Sequence, residues 1–279
     1  MSSLPAQFVE REYNLRAAFP DHPQWFARWA VDSAASRTRL ESKLDVRYGS
    51  GPKQTMDLFP VANPRGVLVF IHGGYWRALD KSDHSFVAPP LVARDIAVAV
   101  INYDLCPQVD IGRIVDECRE AVVWLRREGP EYGFKGRLVV SGHSAGGHLT
   151  AMLVATDWRA RGLPADTIHA AVAISGVFDL EPLVQVSFNV DLMLDAAHAY
   201  LVSPIHLLPR VKVPVLIAAG ADETSEFIRQ SWLLWERWPE CHPQRMHGPL
   251  LVPARHHFSV ICDLGDPASE LTRQTLALF

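Results

Sequence analysis

The sequence has few cysteines and no long apolar run, and each absence excludes a class of protein. Its 279 residues include four cysteines, which are widely spaced and form no Cys-x-x-Cys pair, so neither a disulfide-built domain nor a zinc site is expected. The longest apolar stretches, such as residues 66–71 and 170–178, are far shorter than the roughly 18 residues that a membrane-spanning helix needs. We therefore expect a protein without a membrane segment.

No charge of one sign dominates the sequence. Lys and Arg number 27 against 31 Asp and Glu, which gives a formal net charge of −4. No run of like charges provides a basic patch, so neither nucleic acid nor a membrane surface is an expected partner. The first residues lack the basic start and apolar run of a secretory signal, so we expect a cytoplasmic protein. Hydrophobic residues make up 48%, enough to bury the core of one domain over residues 1–279.

Short apolar runs rich in β-branched residues alternate with amphipathic patterns along most of the chain. Continuous runs of this length are typical of strands that are covered on both faces. The predicted inner strands lie at residues 67–71, 96–101, 138–140, 171–174 and 215–218. Helices are predicted from Ile111 to the Gly129-Pro130 break and from Thr224 to Pro239, and residues 43–48 and 53–59 predict a hairpin. The alternation favours an α/β fold with a mostly parallel sheet between two layers of helices.

Two segments lie outside this alternation. Residues 1–40 form a helical, aromatic stretch in which Asp21 is predicted to cap a helix that carries Trp25 and Trp29 on one face. We expect this segment to pack on the core near the active-site face. Residues 179–209 have few regular periods and predict an excursion over one end of the sheet.

The sharpest motif is Gly-His-Ser-Ala-Gly at residues 142–146, which ends a predicted strand and runs into an apolar helical pattern. This strand-turn-helix context is that of a nucleophile elbow, in which Ser144 would be the nucleophile. Residues 142–147 also fit Gly-x-x-x-x-Gly, but His148 and Leu149 follow where a phosphate-binding loop needs Lys and Ser or Thr. The motif therefore indicates nucleophilic catalysis.

A second motif, His-Gly-Gly-Tyr-Trp at residues 72–76, follows the predicted strand at 67–71. Adjacent glycines after an inner strand let backbone N–H groups point at a substrate oxygen, and the N–H of Ala145 would complete an oxyanion hole. A plain Gly-Gly turn is the alternative. The elbow elsewhere in the chain favours the catalytic interpretation.

A nucleophilic serine needs a histidine as base and an acid that orients the histidine. In proteins with a nucleophile elbow, the acid follows the serine in the sequence and the histidine follows the acid. Asp222 and Glu223 follow one predicted strand, and His256 and His257 follow a later one at residues 250–252. The residues alone leave both choices open, because either member of each pair could reach the site from a short loop. The remaining histidines show no metal-ligand spacing, so no metal is expected.

With these residues in hand, the sequence resembles the arylformamidases, also called kynurenine formamidases, of the serine-dependent α/β-hydrolase superfamily. The resemblance covers most of the chain. It includes the two glycine motifs together with residues 12–14, 102–109, 203–206, 226–231 and 257–258. It implies the α/β-hydrolase fold, with a mostly parallel sheet of about eight strands and helices on both faces.

The resemblance also implies roles for individual residues. It selects Glu223 as the acid, by its distance from the glycine that ends the preceding strand, and His257 as the base, because it immediately precedes Phe258. Glutamate is a departure from the aspartate of animal relatives, and it reaches one methylene further. The implied oxyanion donors are the N–H groups of Gly74, Tyr75 and Ala145, and the implied cover for an aryl leaving group is Tyr75 and Trp76.

The implied activity is hydrolysis of the formamide of N-formyl-L-kynurenine to kynurenine and formate, a step of tryptophan catabolism. The substrate is a small molecule, no cofactor is required, and by analogy with relatives the protein could form a homodimer. A carboxylesterase or amidase acting on other aryl or alkyl substrates is the runner-up. A hydrolase fold that only binds a ligand is a third interpretation, which the joint presence of Ser144, an acid and His257 disfavours.

Overall fold

The computed structural model describes residues 4–279. All strands within these residues belong to one sheet. The strands are β1 Lys43–Arg47, β2 Thr55–Phe59, β3 Gly66–Ile71, β4 Ile96–Ile101, β5 Arg137–His143, β6 Ala170–Ile174, β7 Val215–Gly220 and β8 Leu250–Val252. The helices are α1 Ala6–Tyr13, α2 Leu15–Ala18, α3 His22–Arg39, α4 Pro89–Val92, α5 Ile111–Arg127, α6 Ala145–Val154, α7 Asn189–Leu192, α8 Ala196–Leu201, α9 Ser225–Arg237 and α10 Glu270–Leu276.

The sheet has eight strands in the order β1-β2-β4-β3-β5-β6-β7-β8. β1 and β2 form the predicted antiparallel hairpin, β2 is antiparallel to β4, and every later pairing is parallel. Every residue of β3, β4, β6 and β7 is buried, as their continuous apolar sequences predict. The predicted α/β-hydrolase architecture is confirmed.

The predicted inner strands are all present, and the structure extends some of them at their ends. The extension of β5 matters most for the site, because this strand continues to His143 and Ser144 is the next residue. The predicted helices correspond to α5 and α9. The N-terminus of α5 is fixed by Asp110, whose carboxylate accepts a hydrogen bond from the Arg113 N–H at 2.7 Å.

The N-terminal segment, defined here as residues 6–39, contains α1, α2 and α3. The prediction that Asp21 caps α3 is wrong in its mechanism: Asp21 occupies the N-cap position but its side chain makes no cap hydrogen bond. Its carboxylate instead accepts a hydrogen bond from Trp25 Nε1 at 2.8 Å and lies 3.2 Å from His256 Nε2. Trp25 and the distant His256 therefore engage the carboxylate that a helix cap would use.

The excursion, residues 179–209, crosses the same end of the molecule as the N-terminal segment and contains α7 and α8. Glu10 joins the two segments, because its carboxylate accepts hydrogen bonds from the Ser187 N–H and Oγ, both at 2.8 Å. None of the helices in residues 4–279 combines the length and apolar character that crossing a membrane requires.

Candidate active site

A narrow cavity of about 60 Å³ lies where the loops after β3, β5 and β8 meet the N-terminal segment. The sheet loops contribute Ser144, His257 and the turn that begins at Gly74. The N-terminal segment contributes the stretch 13–16 and two aromatic side chains of α3. The carboxyl ends of the parallel strands and the N-terminal helices therefore enclose one space between them.

Ser144 occupies a strained turn between β5 and α6. Its backbone has φ 59° and ψ −119°, a conformation that residues with a side chain rarely adopt. The Ser144 N–H donates to the Ile174 carbonyl at 2.9 Å, which fixes the turn against β6. The hydroxyl has no hydrogen-bond partner within residues 4–279, so it is free to meet a substrate.

Two glycines of the motif permit this turn, because other backbone atoms pass very close to them. A Cβ added at Gly142 would lie 2.2 Å from the carbonyl oxygen of Gly146. One added at Gly146 would lie 2.0 Å from the carbonyl oxygen of Ile71. Both contacts involve backbone and cannot be relieved by rotating a side chain, so these positions require glycine.

His257 and Glu223 form a buried pair beside Ser144. The His257 Nδ1–H donates to Glu223 Oε2 at 2.8 Å, and both side chains are almost completely buried. Because Nδ1 carries the proton in this pairing, Nε2 is left as the proton acceptor of the ring. An imidazole held in this way can accept a proton from a nearby hydroxyl.

The other oxygen of Glu223 is held by two further donors. Oε1 accepts a hydrogen bond from the Gly220 N–H at 2.9 Å and another from the Ser175 hydroxyl. Ser175, at the end of β6, was missed by the sequence analysis because no local motif marks it. Its partner lies 48 positions away in the chain, so only the sheet topology brings the two together.

The neighbouring acid and histidine lie elsewhere. The Asp222 side chain is exposed, and its residue is fixed only through a backbone hydrogen bond to Arg255. The His256 ring stacks on Phe19 with 4.7 Å between centroids and points toward Asp21 of the N-terminal segment. The structure thus places Glu223 and His257 together, and directs Asp222 and His256 away from the cavity.

His143, the residue before Ser144, supports the backbone of His257. Its Nε2–H donates to the His257 carbonyl at 2.9 Å, and the two rings lie 4.7 Å apart. Burial holds the pKa of His143 well below its usual value, and the nearby His257 lowers it further. His143 therefore stays neutral and acts as a hydrogen-bond donor at this position.

The turn after β3 presents backbone donors toward the same cavity. Gly74 has φ +103° and Tyr75 has φ +50°, so this stretch runs in the left-handed region. The N–H groups of Gly74, Tyr75 and Ala145 have no acceptor within residues 4–279. Tyr75 is anchored by its hydroxyl, which donates to the Tyr13 carbonyl at 2.7 Å.

The expectation that Trp76 covers a substrate group does not fit the structure. Trp76 is completely buried and does not line the cavity. Its Nε1–H donates to His148 Nδ1 at 3.2 Å, and the Nε2–H of His148 donates to the Val202 carbonyl at 2.7 Å. Trp76 therefore belongs to the packing behind the wall, whereas Tyr75 faces the cavity.

The cavity offers a hydroxyl, an imidazole paired with a carboxylate, and unpaired backbone N–H groups. In the part of the chain that the structure describes, no group of three or more His, Cys, Asp or Glu side chains is arranged to hold a metal ion. The surrounding walls carry several aromatic side chains, including Phe26, Phe188 and Phe258. Such a site can bind an aromatic compound and attack a carbonyl group on it.

Known proteins that are similar to this chain in sequence or in structure belong to one class of enzyme. The BD-FAE family model matches residues 56–238. A solved structure from Silicibacter sp. TM1040, described as that of a candidate thioesterase, has a TM-score of 0.84 and 34% identity, and the match covers 95% of this chain and 97% of that one. Esterases are among the further matches in both sequence and structure. The fold and these matches define an α/β-hydrolase that acts on amides or esters.

Two relatives of known name identify the family within this class of hydrolases. The kynurenine formamidases of Danio rerio and Salmo salar are 31% and 29% identical to this chain. Each alignment spans 259 residues, which is 89% of this chain and 86% of the relative. The chain belongs to the kynurenine formamidase family of α/β-hydrolases.

Proposed function

We propose that this protein hydrolyses the formamide of N-formyl-L-kynurenine to kynurenine and formate, with Ser144 as nucleophile, His257 as base and Glu223 as orienting acid. The observation that carries the proposal is the buried 2.8 Å pair between His257 and Glu223, in the cavity that Ser144 enters from its strained turn. The kynurenine formamidase activity for which the Danio rerio and Salmo salar relatives are named supports the substrate. With that substrate, the reaction is a step of tryptophan catabolism.

In the first step, Ser144 Oγ forms a bond to the formyl carbon while its proton moves to His257 Nε2. Glu223 stabilises the imidazolium, because its carboxylate accepts the Nδ1–H at 2.8 Å. The carboxylate is itself held by Gly220 and Ser175, so the ring is oriented before substrate binds.

The negative charge on the formyl oxygen needs donors that are already in position. The unpaired N–H groups of Gly74, Tyr75 and Ala145 are suited to this role. Gly74 and Tyr75 line the cavity, Ala145 directly follows Ser144, and none of the three N–H groups has a competing acceptor within residues 4–279. Losing one such donor typically costs an enzyme about 100-fold or more in rate. These three groups are our proposed oxyanion hole.

Collapse of the tetrahedral intermediate breaks the C–N bond, and His257 returns its proton to the departing aryl amine. Kynurenine leaves, and a formyl ester remains on Ser144. His257 then removes a proton from water, whose oxygen bonds to the formyl carbon, and formate leaves as Ser144 regains its proton. This chemistry uses only the side chains and backbone groups described above.

A carboxylesterase that acts on small aryl or alkyl esters is the second candidate. The match to the BD-FAE family and the esterases among the relatives favour it. The same serine, histidine and backbone donors would serve an ester, since both reactions pass through a tetrahedral oxyanion. The aromatic side chains in the cavity wall suit an aryl leaving group in either class of substrate.

The kcat/KM on N-formyl-L-kynurenine, measured beside p-nitrophenyl acetate and butyrate, decides between these candidates. We expect a value of at least about 10⁴ M⁻¹s⁻¹ on the formamide, within the range of ordinary enzymes. The Ser144→Ala protein serves as the blank. Turnover of the esters without the formamide would assign the protein to the carboxylesterases and reject the formamidase proposal.

A further inference from the structure

The cavity is lined by two cations and by no acidic side chain. Among the described residues on its wall, Arg16 and Arg77 are the arginines, and none is Asp or Glu. This contrasts with the chain as a whole, which has a formal net charge of −4. A cationic cavity in an acidic protein favours a substrate that carries a negative charge.

The two arginines differ in how far they are already neutralised. Arg77 forms an ion pair with Asp191 of the excursion, and its guanidinium lies 5.0 Å from the centroid of the Phe188 ring. Arg16 is exposed and has neither a hydrogen bond nor an ion pair within residues 4–279. Its guanidinium carbon lies 5.7 Å from the centroid of the Phe26 ring, an aromatic wall of the same cavity. Arg16 is therefore the arginine available to a ligand.

The backbone that carries Arg16 is fixed, although its side chain is free. Leu15 beside it is buried, and Tyr13 is held through its hydroxyl by Glu226 and Gln230, each at 2.8 Å. A firmly anchored backbone lowers the entropy that is lost when a guanidinium closes on a ligand. The backbone of Arg16 is thus held at the cavity, and its guanidinium is free to close on a ligand.

We propose that the Arg16 guanidinium binds a carboxylate on the leaving-group side of an aromatic substrate, with the aryl group against Phe26. A guanidinium binds a carboxylate through two parallel hydrogen bonds, which a neutral group cannot form. This inference rests on the proposed function, since kynurenine is an aryl amine that carries a carboxylate. Arg16 would then determine which formamides are hydrolysed, while the reaction itself occurs at Ser144.

The residues that line the cavity also predict how the ammonium group of the substrate is recognised. The amino-acid end of kynurenine also carries an ammonium group, but no carboxylate lines the cavity to receive it. The ammonium group is therefore expected to contribute little to recognition. A substrate that keeps the carboxylate and lacks the ammonium should be hydrolysed about as well as N-formyl-L-kynurenine.

Three formamides separate these contributions: N-formyl-L-kynurenine, its analogue without the amino group, and ortho-formamidopropiophenone, which lacks both the amino group and the carboxylate. In the unmodified protein, we expect kcat/KM to be similar for the first two and about 10- to 100-fold lower for the ketone, a ratio typical of one charge-assisted contact. Arg16→Gln should lower the first two values by that factor and leave the ketone within about twofold.

Arg28→Gln is the matched control. Arg28 lies on α3 of the same segment, is exposed and does not line the cavity. It forms an ion pair with Asp32 on the next turn of the helix and lies 5.9 Å from the centroid of the Trp25 ring. Its replacement should leave all three formamides unchanged. An equal loss on all three substrates in Arg16→Gln would show a structural effect and overturn the proposal, as would equal kcat/KM on the ketone and the acids in the unmodified protein.

A second readout keeps this inference separate from the proposed function. Kynurenine and ortho-aminopropiophenone are compared as competitive inhibitors of p-nitrophenyl acetate hydrolysis, which does not depend on formamide turnover. We expect kynurenine to inhibit about 10-fold or more tightly, and Arg16→Gln to remove the difference. Preserved discrimination without formamide turnover would reject the formamidase proposal and keep Arg16 as a carboxylate site, whereas equal inhibition would reject the Arg16 proposal.

Discussion

The two walls of the cavity are built in different ways. The sheet wall, formed by the loops after β3, β5, β7 and β8, carries the hydroxyl, the imidazole and the carboxylate, each fixed by backbone within a few residues of a strand end. The helical wall, formed by the N-terminal segment, is held by contacts with residues far along the chain, such as the Tyr13 hydroxyl on Glu226, 213 positions away. We therefore expect the sheet wall to supply the chemistry of the proposed reaction and the helical wall to determine its selectivity.

Replacing the serine of the sheet wall is expected to have the largest effect. Ser144→Ala should lower kcat by about 10⁴- to 10⁶-fold, because without a nucleophile only binding and the oxyanion donors remain. Thermal unfolding and circular dichroism should be unchanged, since the hydroxyl makes no hydrogen bond within residues 4–279. A variant that kept more than about 1% of its activity would show that the hydrolysis does not depend on Ser144.

The acid is the next most sensitive point of the sheet wall. Glu223→Gln should lower kcat by about 100- to 10,000-fold, because the amide can neither orient nor stabilise a charged His257 as the carboxylate does. Asp222→Asn is the matched control, and it should stay within about threefold, because its side chain is exposed and away from His257. If Asp222→Asn were the more damaging of the pair, the acid would be wrongly assigned.

Acid should destabilise the protein through the buried histidines behind the sheet wall. Burial lowers the pKa of His148 to about 4, from an ordinary value of 6.5. Above pH 6.5 the ring is neutral whether the chain is folded or unfolded. As the pH falls toward 4, the unfolded chain takes up a proton that the folded protein excludes, so stability is lost across this window.

Urea unfolding at pH 7.5 and pH 5 measures this loss. His148→Gln should reduce the difference between the two free energies of unfolding by about 2 kcal/mol, the share expected from one such histidine. The same substitution at the exposed His247 controls for the change of residue type. An unchanged pH dependence in His148→Gln would contradict a neutral, buried His148.

The hydrogen bond from Tyr75 to Tyr13 is one of those that join the two walls, and its removal should have the smallest effect. Tyr75→Phe removes the donor that meets the Tyr13 carbonyl at 2.7 Å and leaves the ring in place. We expect kcat to fall by about 3- to 10-fold, because the backbone N–H of Tyr75 becomes less firmly placed, and KM to change little. A change in KM alone would mean that the tyrosine hydroxyl binds substrate and does not position the turn.

The contrast between the two walls also explains which features could be predicted from the sequence. The inner strands, α5, α9 and the turn at Ser144 follow from local patterns, because apolar runs and close backbone approaches at glycine are properties of neighbouring residues. The choice of Glu223 over Asp222 needed the family resemblance, since both residues lie on one short loop. The structure then separates them by direction, with one side chain buried against His257 and the other exposed.

The errors and omissions fall where distant contacts decide. Asp21 does not cap α3, because Trp25 and His256 engage its carboxylate, and the partner His256 is 235 positions away. Trp76 is buried against His148, although its motif places it next to Tyr75. Ser175 and Arg16 belong to no motif at all, and only the folded arrangement shows what they face.

Labelling with a fluorophosphonate, followed by mass spectrometry of the digested protein, tests whether Ser144 is the nucleophile. We expect one adduct, on the peptide that contains Ser144, with no labelling of Ser144→Ala and slower labelling of Glu223→Gln. An adduct on another residue, or none in the unmodified protein, would contradict the assignment of the sheet wall as the catalytic one.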